Sequence, residues 1–324
     1  MDLSWEVAVA AGAELGERPV WDTSAGCLIW VDINAGRVHG YRPGAPGGPD
    51  GPAGPGAGGG TDRVIIDAGL AVGAAMPRQN GGYVLAAADG FRLADPAGRL
   101  TGGPLRPPAM ADDVRFNDGF CDPAGRFWAG TVAADRRSGG GALYRLDPDG
   151  TTALVLDGVT ESNGIGWSPD AATMYYIDSG EEPARIRAFG FDPGSGALSA
   201  GHDLVTVPPS DGVPDGLAVD AAGTLWVAIW GGGQVRRYAP SGEELGRFPV
   251  PVSQPSCPGF GGADLRELYL TTAWEGLPQD RRSAEPLAGH LLRAKVTLRP
   301  EDAPRDRAGL ADGLRGLPVT GYGG

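Results

Sequence analysis

The chain has 324 residues, of which 41% are hydrophobic and 21% charged, with a formal net charge of −13 and a pI of about 4.7. That is a soluble globular composition with length enough for a large core. The acidic balance disfavours nucleic acid and anionic membrane as partners, and leaves cations and neutral small molecules.

From the N-terminus, "MDLSWEVAVAAGAELGERP" lacks a basic region and carries acids throughout, so no signal peptide is expected. No apolar run approaches the roughly 18 residues that a membrane span needs. Cys27, Cys121 and Cys257 are odd in number and far apart. They form neither a disulfide framework nor a CxxC metal pair. A reducing cytoplasm is the expected location, and no protein partner is implied.

Six similar stretches then follow in order: "SAGCLIWVD", "QNGGYVLAA", "PAGRFWAGT", "DAATMYYID", "AAGTLWVAI" and "LRELYLTTA". Each is a small or polar turn leading into an apolar strand. Their first strong apolar positions are Leu28, Tyr83, Phe127, Met174, Leu225 and Leu268, separated by 55, 44, 47, 51 and 43 residues. The long first gap holds the low-complexity run Pro43–Gly60, "PGAPGGPDGPAGPGAGGG", which cannot bury a core and reads as a flexible insertion. Without its 18 residues the gap is 37. A further alternating strand follows in each unit, as in "RVHGYRP", "ALYRLDPDG" and "RIRAFGFDP". Convincing amphipathic helices are absent. Six units of several short strands predict an all-β, six-bladed β-propeller spanning residues 1–324 as one domain. "WEVAVA" is expected to supply a strand to the last blade and close the ring. A repeat-free pair of β-sandwiches is the weaker alternative.

In a propeller the first strand of each blade lines the central channel. Glu17 lies 11 residues before Leu28, Asn117 lies 10 before Phe127, Asn163 lies 11 before Met174, and Asp215 lies 10 before Leu225. Four oxygen-bearing side chains thus share nearly one phase and are expected at one end of the channel. Asn-Gly and Asp-Gly pairs are ordinary turn formers. By that rule "SNGIG" and "PDGLA" would be turns, but only Asn80 of "QNGGY" occupies the turn slot of its repeat. Singly, Glu17, Arg115 and Asp135 read as solvated loop or surface residues. Trp30, Trp128 and Trp226 read as core. His39, His202 and His290 are scattered and make no zinc motif. No nucleophile elbow and no phosphate-binding loop is found. Glu17, Asn163 and Asp215 together offer two carboxylates and one amide oxygen, which suit Ca²⁺, Mg²⁺ or Mn²⁺, with Zn²⁺ also able to accept carboxylate oxygen.

Through "LGERPVWD", "RFNDGFCDPAGRFWAGT", "SNGIGWSPD", "MYYIDS" and "PDGLAVDAAGTLWVA", the chain resembles the regucalcin (senescence marker protein)/gluconolactonase family from about residue 15 to about residue 295. The resemblance implies a six-bladed propeller, and one divalent ion held by Glu17, Asn163 and Asp215. It places substrate contacts at Arg115 and Asn117, and at Asp135, where some members have a Glu one methylene longer. It implies hydrolysis of a sugar lactone to its aldonic acid. Asp215 is the residue that the family uses to activate water. A carboxylate bound to a dication is a poor base, so metal-bound hydroxide steered by Asp215 is the alternative. Two rival functions share the site: a non-catalytic calcium-binding propeller, and a metal-dependent esterase of other substrates.

Overall fold

Each repeat stretch folds as the second strand of a four-stranded antiparallel sheet, and six such sheets form a β-propeller. The computed structural model describes residues 3–44, 59–295 and 314–324. The chain opens with β1 (Glu6–Val9). Blade one is β2 (Gly16–Asp22), β3 (Cys27–Asp32), β4 (Arg37–Pro43) and β5 (Gly60–Asp67). Blade two is β6 (Val72–Pro77), β7 (Tyr83–Ala87), β8 (Gly90–Ala94) and β9 (Leu100–Leu105). Blade three is β10 (Val114–Cys121), β11 (Phe127–Ala133), β12 (Gly141–Leu146) and β13 (Thr152–Val159). Blade four is β14 (Ser162–Trp167), β15 (Thr173–Asp178), β16 (Ala184–Gly190) and β17 (His202–Val207). Blade five is β18 (Val213–Val219), β19 (Leu225–Trp230), β20 (Gln234–Tyr238) and β21 (Glu244–Pro249). Blade six is β22 (Pro255–Gly261), β23 (Glu267–Thr272) and β24 (Leu291–Lys295), with β1 as its outer strand.

The ring closes where β1 pairs with β24, Glu6 opposite Arg293 and Val7 opposite Leu292. First and last segments of the fold thus share one sheet. Radial repetition leaves only short edges at the rim of each blade, in place of the long edges of one open sheet. Among the described residues there is one short α-helix, α1 (Gln279–Ala284), between β23 and β24. Among the described residues no helix is long and apolar enough to cross a membrane.

Burial explains the pattern of the strands. β2, β3, β11 and β14 are buried along their whole length. β3 and β11 read as near-continuous apolar runs because both faces are covered by neighbouring blades, whereas the innermost strands β2 and β14 bury polar side chains as well. Outer strands such as β13 and β17 are half-buried or exposed, so their sequences carry little period. The turn before each second strand has its own chemistry. Asp122 Oδ1 accepts from the amides of Ala124 and Arg126, and Asp122 Oδ2 takes the indole N–H of Trp128 at 2.9 Å. Asp220 does the same for Ala222, Thr224 and Trp226. Trp30, Trp128 and Trp226 are fully buried core residues. Their one polar atom is satisfied, as a buried indole requires. All three cysteines are free and buried.

Pro43 and Gly60 pair directly across β4 and β5. The two ends of the expected insertion 43–60 are therefore strand residues, and its body, residues 45–58, lies outside the described residues.

Candidate functional site

The innermost strands of the six blades are β2, β6, β10, β14, β18 and β22. Each loses register with its partner at the same level. The breaks fall between Glu17 and Val20, Val72 and Ala74, Phe116 and Asp118, Ser162 and Ile165, Pro214 and Leu217, and Pro255 and Cys257. A bulge places extra residues on one strand and re-aims a side chain out of the ladder. Asn117, Asn163 and Asp215 sit within these breaks and Glu17 at the edge of one. The "SNG" and "PDG" pairs are therefore bulged strands and not turns. Their glycines answer to crowding at the axis. A Cβ on Gly164 would lie 2.7 Å from the Asp215 carbonyl oxygen, and one on Gly216 would lie 2.4 Å from Cys257 Sγ.

Glu17, Arg115, Asn117, Asn163 and Asp215 line one cavity of about 520 Å³. A chain of hydrogen bonds orients the amides. Arg115 Nη1 donates to Asn117 Oδ1 at 2.7 Å. Asn117 Nδ2 donates to Asn163 Oδ1 at 2.9 Å and to the Ser162 carbonyl at 2.9 Å. Asn163 Nδ2 donates to Ser179 Oγ at 2.8 Å, and Ser179 Oγ donates to the Pro214 carbonyl at 2.6 Å. An arginine can only donate and a carbonyl can only accept, so both ends of the chain are fixed. Asn163 Oδ1 accepts one bond from Asn117 and keeps a second lone pair.

The two carboxylates are buried, Glu17 at 4% exposure and Asp215 at 7%. Burial, then the Asp118 carboxylate, push the Glu17 carboxyl up to about 8, although Arg18 and Arg115 oppose the shift. Burial, then Glu17 and Asp118, hold Asp215 well above the usual carboxylate range. A cation between them would favour the ionised form of both and oppose the shifts. Among the described residues no three His, Cys, Asp or Glu side chains group as a metal site. Glu17, Asn163 and Asp215 include only two of those types, the third donor being an amide oxygen. Two carboxylates and an amide oxygen are a donor set for a hard divalent ion, so these residues fit one.

Directly beneath, Arg18 makes a two-pronged ion pair with Asp118, with Nε to Oδ1 at 2.6 Å, both side chains nearly inaccessible. Arg18 also donates to the Leu217 carbonyl at 3.4 Å. Each of these groups neighbours a site residue: Arg18 follows Glu17, Asp118 follows Asn117, and Leu217 is two beyond Asp215. The pair ties three inner strands together below the cavity. In sequence it was hidden by its neighbours, since "GERP" and "FNDG" draw attention to Glu17 and Asn117.

Asp135 is not brought to the cavity. Its side chain is 63% exposed and paired with Arg137 at 2.9 Å. The cavity is lined instead by Arg136, Glu161, Ser179, Trp230, Gln254 and Glu275, which the sequence did not single out. All but Trp230, which ends β19, lie outside the named strands, where no repeat phase marks them. Gln254 Oε1 is a buried acceptor without a partner among the described residues.

The family described as the SMP-30/gluconolactonase/LRE-like region matches residues 15–274. A pentonolactonase of Haloferax volcanii is 38% identical over 301 residues, covering 90% of this chain and 95% of its own. A regucalcin of Danio rerio is 33% identical over 327 residues, covering 98% of each. The solved structure of a calcium-binding regucalcin from Agrobacterium tumefaciens is similar in fold, with a TM-score of 0.82 at 24% identity over 99% of this chain and 98% of that one. By the extent of the match and the level of identity, the chain belongs to the SMP-30/gluconolactonase/LRE-like family.

Proposed function

We propose that this protein hydrolyses a sugar lactone to its aldonic acid, using one divalent ion held by Glu17, Asn163 and Asp215. The observation that carries this reading is the convergence of two buried carboxylates and an amide oxygen from three blades on one cavity. Its volume suits a small molecule, and its donors suit a hydroxylated one. The likeness to a pentonolactonase supports the substrate class.

When bound, the ion supplies a Lewis acid that polarises the lactone carbonyl. Arg115 and Asn117 orient the ring. Arg115 gives one N–H group to Asn117 and has others for sugar oxygens. Asp215 positions the attacking water and takes its proton at a carboxylate oxygen. The water oxygen bonds to the carbonyl carbon, the ring C–O bond breaks, and the ring oxygen takes the proton from Asp215 and leaves as a hydroxyl. The product is a carboxylate, and one proton is released. Ile33, Val213 and Trp230 line the same cavity and make part of its wall apolar.

A pH-indicator assay over several aldonolactones tests the reading. Acid release is expected to fall to background after exhaustive chelation and to return with a divalent ion. Full turnover by metal-free protein would overturn the role of the ion. Absence of turnover with every lactone and every ion would overturn the lactonase.

A further inference from the structure

The loop after β11 carries Asp135, Arg136 and Arg137, whose side chains go to two different places. Arg137 pairs with Asp113 at 2.7 Å and with Asp135 at 2.9 Å, on the outside. Arg136 holds a left-handed φ of 52°, which residues with a Cβ rarely adopt. Its amide donates to the Ala133 carbonyl at 2.9 Å, closing a tight turn. The side chain lines the cavity. Arg136 Nη1 donates to Glu161 Oε1 at 2.5 Å, and Nη2 lies 3.8 Å from Glu275 Oε2. Asn34 Nδ2 donates to Glu275 Oε1 at 2.9 Å and holds that carboxylate. Glu161 leads into β14 and Glu275 follows β23, so segments of three blades meet at this point. The Arg136 side chain is 54% exposed, against 20% for Glu161 and 27% for Glu275. The cluster therefore stands at the rim of the cavity.

We propose that Arg136, Glu161 and Glu275 form a rim subsite that sorts lactones by charge, accepting neutral hydroxylated tails and discriminating against tails that carry an anion. This rests on the lactonase reading above. Two carboxylates face one guanidinium, so these three groups carry a net charge of −1, which Arg115 in the same cavity offsets in part. A sugar hydroxyl can donate to a carboxylate and accept from the guanidinium at once. A phosphate or carboxylate tail brings acceptors alone. It would have to draw Arg136 out of a charge-assisted bond with Glu161 while facing both acids. The acidic chain as a whole, at −13, adds repulsion of the same sign.

The test compares kcat/KM for neutral pentono- and hexonolactones with that for the same rings bearing a terminal phosphate. Wild type is expected to favour the neutral member. Glu161→Gln/Glu275→Gln is expected to narrow that ratio by about three- to tenfold per carboxylate removed for each negative charge on the tail, the effect of a unit charge roughly 6 Å away at an effective dielectric of roughly 40–80. The change should fall mainly on KM for the phosphorylated lactone. A second measurement needs no variant: raising salt to about 1 M should narrow the wild-type ratio, because screening is then effective within about 3 Å. Turnover with a ratio unchanged both in the variant and at high salt would overturn the rim inference alone. If wild type hydrolyses no lactone of the panel, the lactonase reading fails, and the rim inference falls with it.

Discussion

The two ends of the central channel are built from the same six strands and differ in how charge is treated. The N-terminal halves of β2, β10, β14 and β18 bring Glu17, Asn117, Asn163 and Asp215 to a cavity of about 520 Å³. Their C-terminal halves bring Trp21, Phe120, Trp167 and Leu217 to a second cavity of about 210 Å³, mostly apolar. Leu317–Thr320 of the C-terminal segment line that second cavity. The segment is tied down by Gly316 bonding to Leu265, by Tyr322 bonding to Pro77, and by Gly323 bonding to Gly125. Between the two cavities sits the Arg18–Asp118 pair. Below, buried charge is matched by opposite charge. Above, two buried acids face each other with only partial compensation. A buried pair is ordinary architecture; buried like charges persist where a ligand uses them.

The largest expected effect breaks the upper end. Asp215→Ala or Glu17→Ala should lower lactone turnover by at least about two to three orders of magnitude, the scale for losing a principal electrostatic element of a site. Calorimetric titration with Ca²⁺ and Mn²⁺ should show loss of ion affinity in both variants. The melting temperature of metal-free protein should not fall, because burial and the neighbouring acids make each carboxyl costly to keep in the fold. A clear fall in that melting temperature would show these acids to be structural.

The lower end should respond in the opposite sense. Arg18→Met leaves Asp118 charged and unpaired, which costs about 3–5 kcal/mol. The melting temperature should drop by several degrees. Arg18→Met/Asp118→Leu should recover much of the loss, since an apolar pair of similar volume avoids the desolvation cost. Absence of recovery would mean that the pair holds the strands by geometry as well as by charge.

Arg115→Ala sharpens the division within the upper end. The side chain binds Asn117 and the Phe116 carbonyl. Loss of one hydrogen bond to a polar substrate is worth roughly 1–3 kcal/mol, or about one to two orders of magnitude in kcat/KM. Ion affinity should stay near that of wild type. If it collapses with activity, Arg115 belongs to the ion's surroundings and not to the sugar's.

Stability against pH reports the same contrast in metal-free protein. The Glu17 carboxyl is raised from 4.5 to about 8 by burial and by Asp118. The folded chain then binds a proton that the unfolded chain has released between those values. Stability should therefore fall as pH rises from about 4.5 to about 8. Thermal scans across that window should show the decline, and Glu17→Gln should flatten it. A divalent ion should remove it as well.

The smallest effect concerns Asp135. The family resemblance implies a substrate contact there, whereas the side chain lies outside and pairs with Arg137. Asp135→Glu should leave the order of preference among lactones unchanged. A reordering would mean that the loop turns over when substrate binds.

How much of this was legible in sequence depended on whether a residue repeats. Leu28, Phe127, Met174 and Leu225 mark second strands because every blade needs an apolar run at that place. The distances back to Glu17, Asn117, Asn163 and Asp215 then carried meaning, since equal phase on equal strands means equal height in the channel. The Asn-Gly and Asp-Gly pairs were ambiguous by local rules alone. Only the crowding of Gly164 against Asp215 and of Gly216 against Cys257 explains their glycines.

The linear chain by itself determined the all-β class, the six-fold repeat, the closing strand β1 and the shared phase of four polar residues, because each is a periodic or local property. Tertiary structure alone decided that Arg18 would neutralise Asp118 from another blade, that Glu161 and Glu275 would meet at Arg136, and that the C-terminal segment would cover the far cavity. These partners lie far apart in the chain and occur once each. Only the packing of blade against blade brings them within reach, and at residues 135–136 the backbone turns to a positive φ at Arg136, whose side chain lines the cavity while that of Asp135 lies outside.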